Sequence, residues 1–208
     1  LYLIEQVLVA DYTTKTIAKV VLFVGIPSVY SALMKNSSIR GIIRLIKVEI
    51  NTLKYGLTLG LISFASIFAG YFVLGKYIDF NGIVQELGSM SGITASNFIF
   101  TGLYITFGNS FLEEFFFRGF IFLNLFYRGS KKFAYIYSSL LFGIYHIAIF
   151  KTWSSPALTA LALLGLVSVG MVFNRLDTKT GNFMNSWLVH ILADSAIIII
   201  GMKMFNII

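Results

Sequence analysis

The sequence predicts an all-α, polytopic membrane helix bundle, with six to seven transmembrane helices plus a basic amphipathic interfacial helix. Three observations predict it. Of the 208 residues, 57 % are hydrophobic and only 12 % are charged, about half the charged share of an ordinary soluble domain. Mean hydropathy is +0.84. Apolar runs of about 18 residues or more, long enough to cross a hydrocarbon core, recur between short polar segments. Residues 1–208 therefore read as a single membrane domain, with no room for a separate soluble one. The net charge of +7 does not signal nucleic acid in so apolar a chain, because Lys and Arg collect in the cytoplasmic loops of membrane proteins. The sequence has no cysteine, which excludes disulfides, thiolate zinc sites and a cysteine nucleophile. It begins at Leu1 rather than Met, so a signal peptide or a further helix could precede it.

Leu1 to Ala10 reads as the tail of a helix or a short interfacial one. A first span is expected from Ile17 to Met34, with Lys19 snorkelling at its start and Pro27 kinking it. From Ser38 to Lys54, Ile39, Ile42, Ile43, Ile46, Ile50 and Leu53 follow helical spacing, and Arg40, Arg44, Lys47 and Lys54 fall on the opposite face. That pattern is a basic amphipathic helix on a membrane surface. A second, uncharged span runs from Tyr55 to Gly75, where Gly56, Gly60, Gly70, Ala65 and Ala69 permit close helix contact. Lys76 to Asn97 reads as a mostly polar loop. Its GSMSG at Gly88 to Gly92 is similar to turns of serine proteases, but the spacing is wrong for one. The third span is Phe98 to Tyr127, with a seventh crossing if it breaks near Gly108 and Asn109. The fourth is Phe133 to Phe150. The fifth starts at Pro156 after the capping residues Ser154 and Ser155 and ends near Phe173, before a polar turn from Asn174 to Asn182. The sixth is Phe183 to Met202. Trp153 and Trp187 lie near span ends, as interfacial anchors do. If the six spans alternate, the loops after spans one, three and five carry most of the Lys and Arg, which places that side in the cytoplasm.

The third span contains Glu113, Glu114 and Arg118. Charges at such depth cost several kcal/mol each, about 2.5 to 3.5 on insertion scales, so a shared polar cavity is expected to compensate them. Both histidines, His146 and His190, also lie in apolar spans, and Asp194 stands one turn after His190. Counting about 1.5 Å per residue from the cytoplasmic ends puts all six groups roughly 10 to 20 Å deep. Glu114 and Arg118, and likewise His190 and Asp194, are spaced to share a helix face and pair. One reading is that these pairs merely pin helices. Against it, Glu113 and His146 have no partner in their own helices. A carboxylate beside an imidazole in a half-dry cavity is a general-base arrangement. Phe142, four residues before His146, is expected to pack beneath it, and Phe115 to Phe117 and Phe120 to Phe126 read as packing and lipid-facing surface.

EExxxR at Glu113–Arg118, FxxxH at Phe142–His146 and HxxxD at His190–Asp194 occur in order on successive spans. With them the chain closely resembles the CAAX prenyl protease and bacteriocin-processing family of intramembrane glutamate endopeptidases, over about residues 98 to 200. The resemblance implies an all-helical protease whose site opens to the cytosol. Glu113 would activate water. His146 would hold that water or relay its proton. His190 and residue 194 would stabilise the oxyanion, and Glu114 with Arg118 would support Glu113. The family often has Asn where Asp194 stands. An ionised Asp cannot donate to an oxyanion, so the alternatives are that Asp194 orients His190 or is itself protonated. No cofactor is implied. A His2Glu zinc site of Glu113, His146 and His190 is the minority alternative, and no HExxH is present.

The expected partners are a peptide or protein substrate, the lipid bilayer and, in a second reading, a membrane protein regulated by a non-catalytic scaffold. A third reading is a transporter with a buried ion pair. The expected location is a cell membrane crossed several times. Composition rich in Ile, Lys and Asn favours a bacterial plasma membrane, with bacteriocin or peptide maturation or self-immunity as the role. An endoplasmic reticulum membrane and prenylated CAAX substrates follow if the source is eukaryotic.

Overall fold

The computed structural model describes residues 12–33, 48, 50–150 and 155–208, and no strand occurs among them. Seven helices follow one another. Helix α1 joins Tyr12–Val20, a π-helical stretch Val21–Gly25, and Ile26–Leu33. Then come α2 (Leu53–Leu74) and α3 (Phe80–Ser91). Helix α4 runs through Phe98–Leu103, π-helical Tyr104–Asn109, Ser110–Glu114, π-helical Phe115–Phe122, and Leu123–Arg128. The last three are α5 (Lys131–Phe150), α6 (Pro156–Thr180) and α7 (Met184–Met204). Four stretches, Thr13–Leu33, Ile50–Tyr77, Pro156–Thr180 and Met184–Met204, are long and apolar enough to cross a membrane. Helices α4 and α5 carry ionisable side chains within their apolar runs, which lowers their hydropathy. The protein is an all-α, multi-pass membrane bundle.

Close packing follows the small residues. A Cβ on Gly56 would stand 2.7 Å from Asn185 Oδ1, and one on Gly60 would meet the Leu192 side chain, so α2 lies backbone to backbone against α7. Gly70 has nothing within 4 Å and plays no such part. Gly143 and Gly170 do the same between α5 and α6, where their Cβ positions would meet Val167 at 2.8 Å and Ser139 at 3.1 Å. Polar side chains tie the helices between these contacts. Asn185 donates to Thr52 Oγ1 at 3.0 Å, and Asn174 to Ser139 Oγ at 3.1 Å. One end of the bundle gathers basic residues: Lys54, Arg175 and Lys179 line a cavity of about 660 Å³ between the start of α2 and the end of α6.

Several expectations are corrected. Lys76 to Asn97 is not mainly a loop, because α3 forms within it. Asp79 caps that helix, accepting from Gly82 N–H at 2.9 Å, and Gly92 at φ +64° ends it. The polar composition hid an amphipathic helix whose Ile83 is buried. The fifth span does not stop near Phe173: α6 continues through the expected turn to Thr180 and stops at Gly181, φ +69°. Its polar residues bond to neighbouring helices, as Tyr135 does with Thr178 at 3.4 Å. The third span does not break at Gly108 and Asn109. It widens there into a π-turn and stays helical. Irregularity near Pro27 takes the form of the π-stretch Val21–Gly25, since the ring removes an N–H and crowds the preceding turn. Ser155 and Pro156 do open α6. Leu1 to Ala10, Ser38 to Lys47, Trp153 and Ser154 lie outside the described residues. Of the expected amphipathic helix only its end is described, where Ile50–Thr52 is a single 3₁₀ turn and Lys54 already belongs to α2.

Candidate functional site

Glu113 and Glu114 sit on the short α-helical piece of α4 between its two π-stretches. Such widened turns displace side chains from the ordinary helical rows and cluster at functional sites. Both carboxylates and Arg118 are buried, at 1 % exposure or less. Each glutamate has its own set of partners, because adjacent residues project about 100° apart around a helix.

Glu114 faces α7 and Arg118, one turn on along its own helix. Its Oε1 lies 2.9 Å from His190 Nδ1, and its Oε2 lies 3.3 Å from Arg118 Nε. The Arg118 guanidinium in turn lies over two aromatic rings, 3.9 Å from the centre of Phe142 and 4.9 Å from that of Phe173. Ring faces and carboxylate together replace the water this cation has lost. Asp177 of α6, fully buried, interacts electrostatically with both Arg118 and Glu114 and accepts from Ser186 Oγ at 3.0 Å.

Glu113 faces the space between α1, α5 and α7. Its Oε1 accepts from Asn109 Nδ2 at 2.7 Å and from Tyr145 O–H at 3.0 Å, and Lys19 Nζ of α1 stands 3.8 Å away. Its Oε2 accepts no hydrogen bond among the described residues. That oxygen instead looks toward two imidazoles, 3.5 Å from His146 Nε2 and 4.0 Å from His190 Nε2.

The histidine hydrogen bonds decide what those ring nitrogens present. His146 Nδ1 is 2.8 Å from the Phe142 carbonyl, which can only accept, so the proton is on Nδ1. His190 Nδ1 likewise gives its proton to Glu114. A neutral His146 then presents Nε2 as an acceptor, whereas His190 Nε2 accepts in the neutral ring and donates in the imidazolium. Glu113 Oε2 and His146 Nε2 are together complementary to a small donor such as a water molecule. Asp194 Oδ1 lies 3.7 Å from His190 Nε2 on the same side, four residues along α7.

The structure thus brings all six sequence-selected residues, Glu113, Glu114, Arg118, His146, His190 and Asp194, into one cluster. Phe142 packs on His146 as expected, edge to face at 4.5 Å. Four participants were missed. Lys19 does not snorkel outward: its side chain is only 13 % exposed and turns into the bundle. Asn109 was read only as a possible helix break, Tyr145 was not singled out, and Asp177 fell in the supposed turn. Trp187 stands in the first turn of α7, yet its indole N–H points into the bundle, donating to Ser110 Oγ at 3.0 Å. Among the described residues no group of three or more His, Asp or Glu has the geometry to hold a metal ion.

A family model described as Type II CAAX prenyl endopeptidase Rce1-like matches residues 95–196. Residues 95–196 belong to the CAAX protease family. The match takes in α4 to α6 and most of α7, and hence every sequence-selected site residue. No curated protein and no solved structure matches the chain. The match supports a CAAX-type protease, acting on a peptide or protein in a lipid environment. Helix α1, with Lys19, lies outside the matched CAAX protease region.

Proposed function

We propose that the chain is an intramembrane endopeptidase in which Glu113 activates a water molecule for attack on a peptide bond, with residues 98–200 as its catalytic core. The single observation carrying this reading is that Glu113 Oε2, buried and without a donor among the described residues, faces His146 Nε2 and His190 Nε2 at 3.5 and 4.0 Å. A water between Glu113 Oε2 and His146 Nε2 donates one proton to each. As it attacks the carbonyl carbon, Glu113 takes its proton and the new C–O bond forms. The carbonyl oxygen gains negative charge. His190, an imidazolium before the attack, gives its Nδ1–H to Glu114 and its Nε2–H to that oxyanion. Collapse of the tetrahedral intermediate breaks the C–N bond, and the proton held by Glu113 passes to the departing amine. Asp194, 3.7 Å from His190 Nε2, orients the ring before substrate enters. Glu114, Arg118 and Asp177 form the fixed support behind it. No metal or cofactor enters this scheme.

The substrate class follows the family: prenylated CAAX tails in a eukaryotic setting, or peptide maturation and self-immunity in a bacterial plasma membrane, which composition favours. The non-catalytic scaffold is the rival reading. Mass spectrometry of farnesylated CAAX peptides and membrane peptides, incubated with wild-type and Glu113→Ala membranes, separates the two. Products formed by the wild type alone support the protease. A cellular phenotype that survives Glu113→Ala supports the scaffold.

A further inference from the structure

We infer that Lys19, contributed by α1 from outside the family-matched region, is a positioning residue of this site: its ammonium fixes the Asn109 amide and sets which of the two Glu113 oxygens faces the reactants. The inference rests on Glu113 being the base.

The hydrogen-bond chain has a fixed direction. Lys19 Nζ has only protons to give, and it donates to Asn109 Oδ1 at 2.9 Å. The Asn109 amide must therefore present its NH₂ to Glu113, which it does at 2.7 Å to Oε1. The ammonium itself is 3.8 Å from the same oxygen. The Tyr145 hydroxyl reaches Oε1 too, and the face of its ring is 5.4 Å from Lys19 Nζ. Lys19, Asn109 and Tyr145 thus all act on Oε1, and Oε2 is left for the imidazole side.

Local packing holds the lysine inward. Lys19, Phe23 and Pro27 are spaced one turn apart on one face of α1, and the latter two are buried. Phe23 stacks on Phe116 with ring centres 4.4 Å apart and planes 3° from parallel, and it meets Phe117 edge-on at 5.5 Å. This aromatic clasp seats α1 against α4 one turn beyond Lys19. An exposed lysine would reach water. This one is 13 % exposed beside an acid.

Charge gives the reason. The charged and titratable groups around Glu113 are Glu114 and Arg118 on its own helix, Tyr145 and His146 on α5, and His190 and Asp194 on α7. Of the two permanent cations in this set once Lys19 is added, Arg118 is engaged by Glu114 at 3.3 Å. Lys19 is the cation that stands at Glu113. Without it, the Asn109 amide loses the donor that fixes its direction, and Glu113 Oε1 loses its counter-charge.

The test reads the Glu113 carboxyl directly. Infrared difference spectra of the full chain in detergent, wild type minus Glu113→Gln, isolate the Glu113 carboxyl bands, whose positions report its hydrogen bonds. In Lys19→Met those bands are expected to shift. Cleavage of a farnesylated CAAX peptide should fall about tenfold or more, with KM nearly unchanged. Because the chain has no cysteine, Lys19→Cys carries one thiol, and alkylation with 2-bromoethylamine restores an ammonium at that point. Band and rate should return toward wild type. This before-and-after comparison decides if Lys19→Met does not fold. Coincident Glu113 bands in wild type and Lys19→Met, or no recovery on alkylation, overturn the inference while leaving Glu113 as base. Cleavage that survives Glu113→Ala overturns the base assignment itself, whatever Lys19 does.

Discussion

Arg118 gives the sharpest test of what holds the site in place. Its guanidinium is fully buried, 3.3 Å from Glu114 and 3.9 Å from the centre of the Phe142 ring. Replacing it by Met keeps the volume and removes the charge. Two losses follow. Glu114 becomes a buried carboxylate without its cation, which costs about 3 to 5 kcal/mol when one partner of a buried pair is removed. The contacts with Phe142 and Phe173 lose their cation–π part, about 1 kcal/mol each. Conformational relaxation and protonation of Glu114 offset some of this, so the net expectation for Arg118→Met is about 3 to 5 kcal/mol. A second change should recover part of it. Glu114→Gln removes the orphaned charge and still offers His190 an acceptor, so Arg118→Met with Glu114→Gln should be about 2 kcal/mol more stable than Arg118→Met alone. Lysine should rescue poorly, because a compact ammonium lacks the flat face that two rings and a carboxylate require. Unfolding in mixed micelles, followed by tryptophan fluorescence with Trp187 in the bundle, measures all four proteins. If Arg118→Met lies within about 1 kcal/mol of wild type, or the double variant is no better than the single one, the buried pair is not the support proposed here.

Other outcomes are expected. Gly56→Leu should destabilise the bundle by about 1 to 3 kcal/mol in the same assay, because a Cβ there would stand 2.7 Å from Asn185 Oδ1; a neutral change would mean α2 and α7 are farther apart. Tyr145→Phe removes one of the donors to Glu113 Oε1 and should lower peptide turnover about tenfold or less, with Asn109 and Lys19 still in place. Asp177→Asn should lower stability by about 1 to 2 kcal/mol through its coupling to Arg118, and this loss should shrink in an Arg118→Met background; additive losses would show that the two do not interact.

What could be read in the sequence depended on range. Glu114 with Arg118, and His190 with Asp194, are one helical turn apart, so their pairing follows from spacing alone. Ionisable side chains in apolar runs announce themselves by their cost, and that is why Glu113, His146 and His190 stood out. Lys19 reaches a residue 90 positions away, and near a span end it looks like any snorkelling lysine. The available sign was the one-turn series Lys19, Phe23, Pro27 on one face of a short helix. Tyr145 was hidden among 11 tyrosines, with nothing local to mark its hydroxyl. Asp177 was lost because polar residues after Phe173 suggested a turn, whereas Gly181 carries the stop signal. Helix α3 was lost for the same reason, although Asp79 three residues before Gly82 is an ordinary helix cap. The π-stretches that flank Glu113 had no sequence sign that we recognise.

The central claim is that Glu113 passes an oxygen from solvent, not one of its own, to the new carboxyl group. One turnover of a farnesylated CAAX peptide with enzyme in excess, run in water enriched in oxygen-18, tests it by product mass. The account predicts one heavy oxygen in each released carboxylate, unchanged by chelators and lost with Glu113→Gln because no product forms. An unlabelled product in that first turnover, or full cleavage by Glu113→Gln, would contradict it.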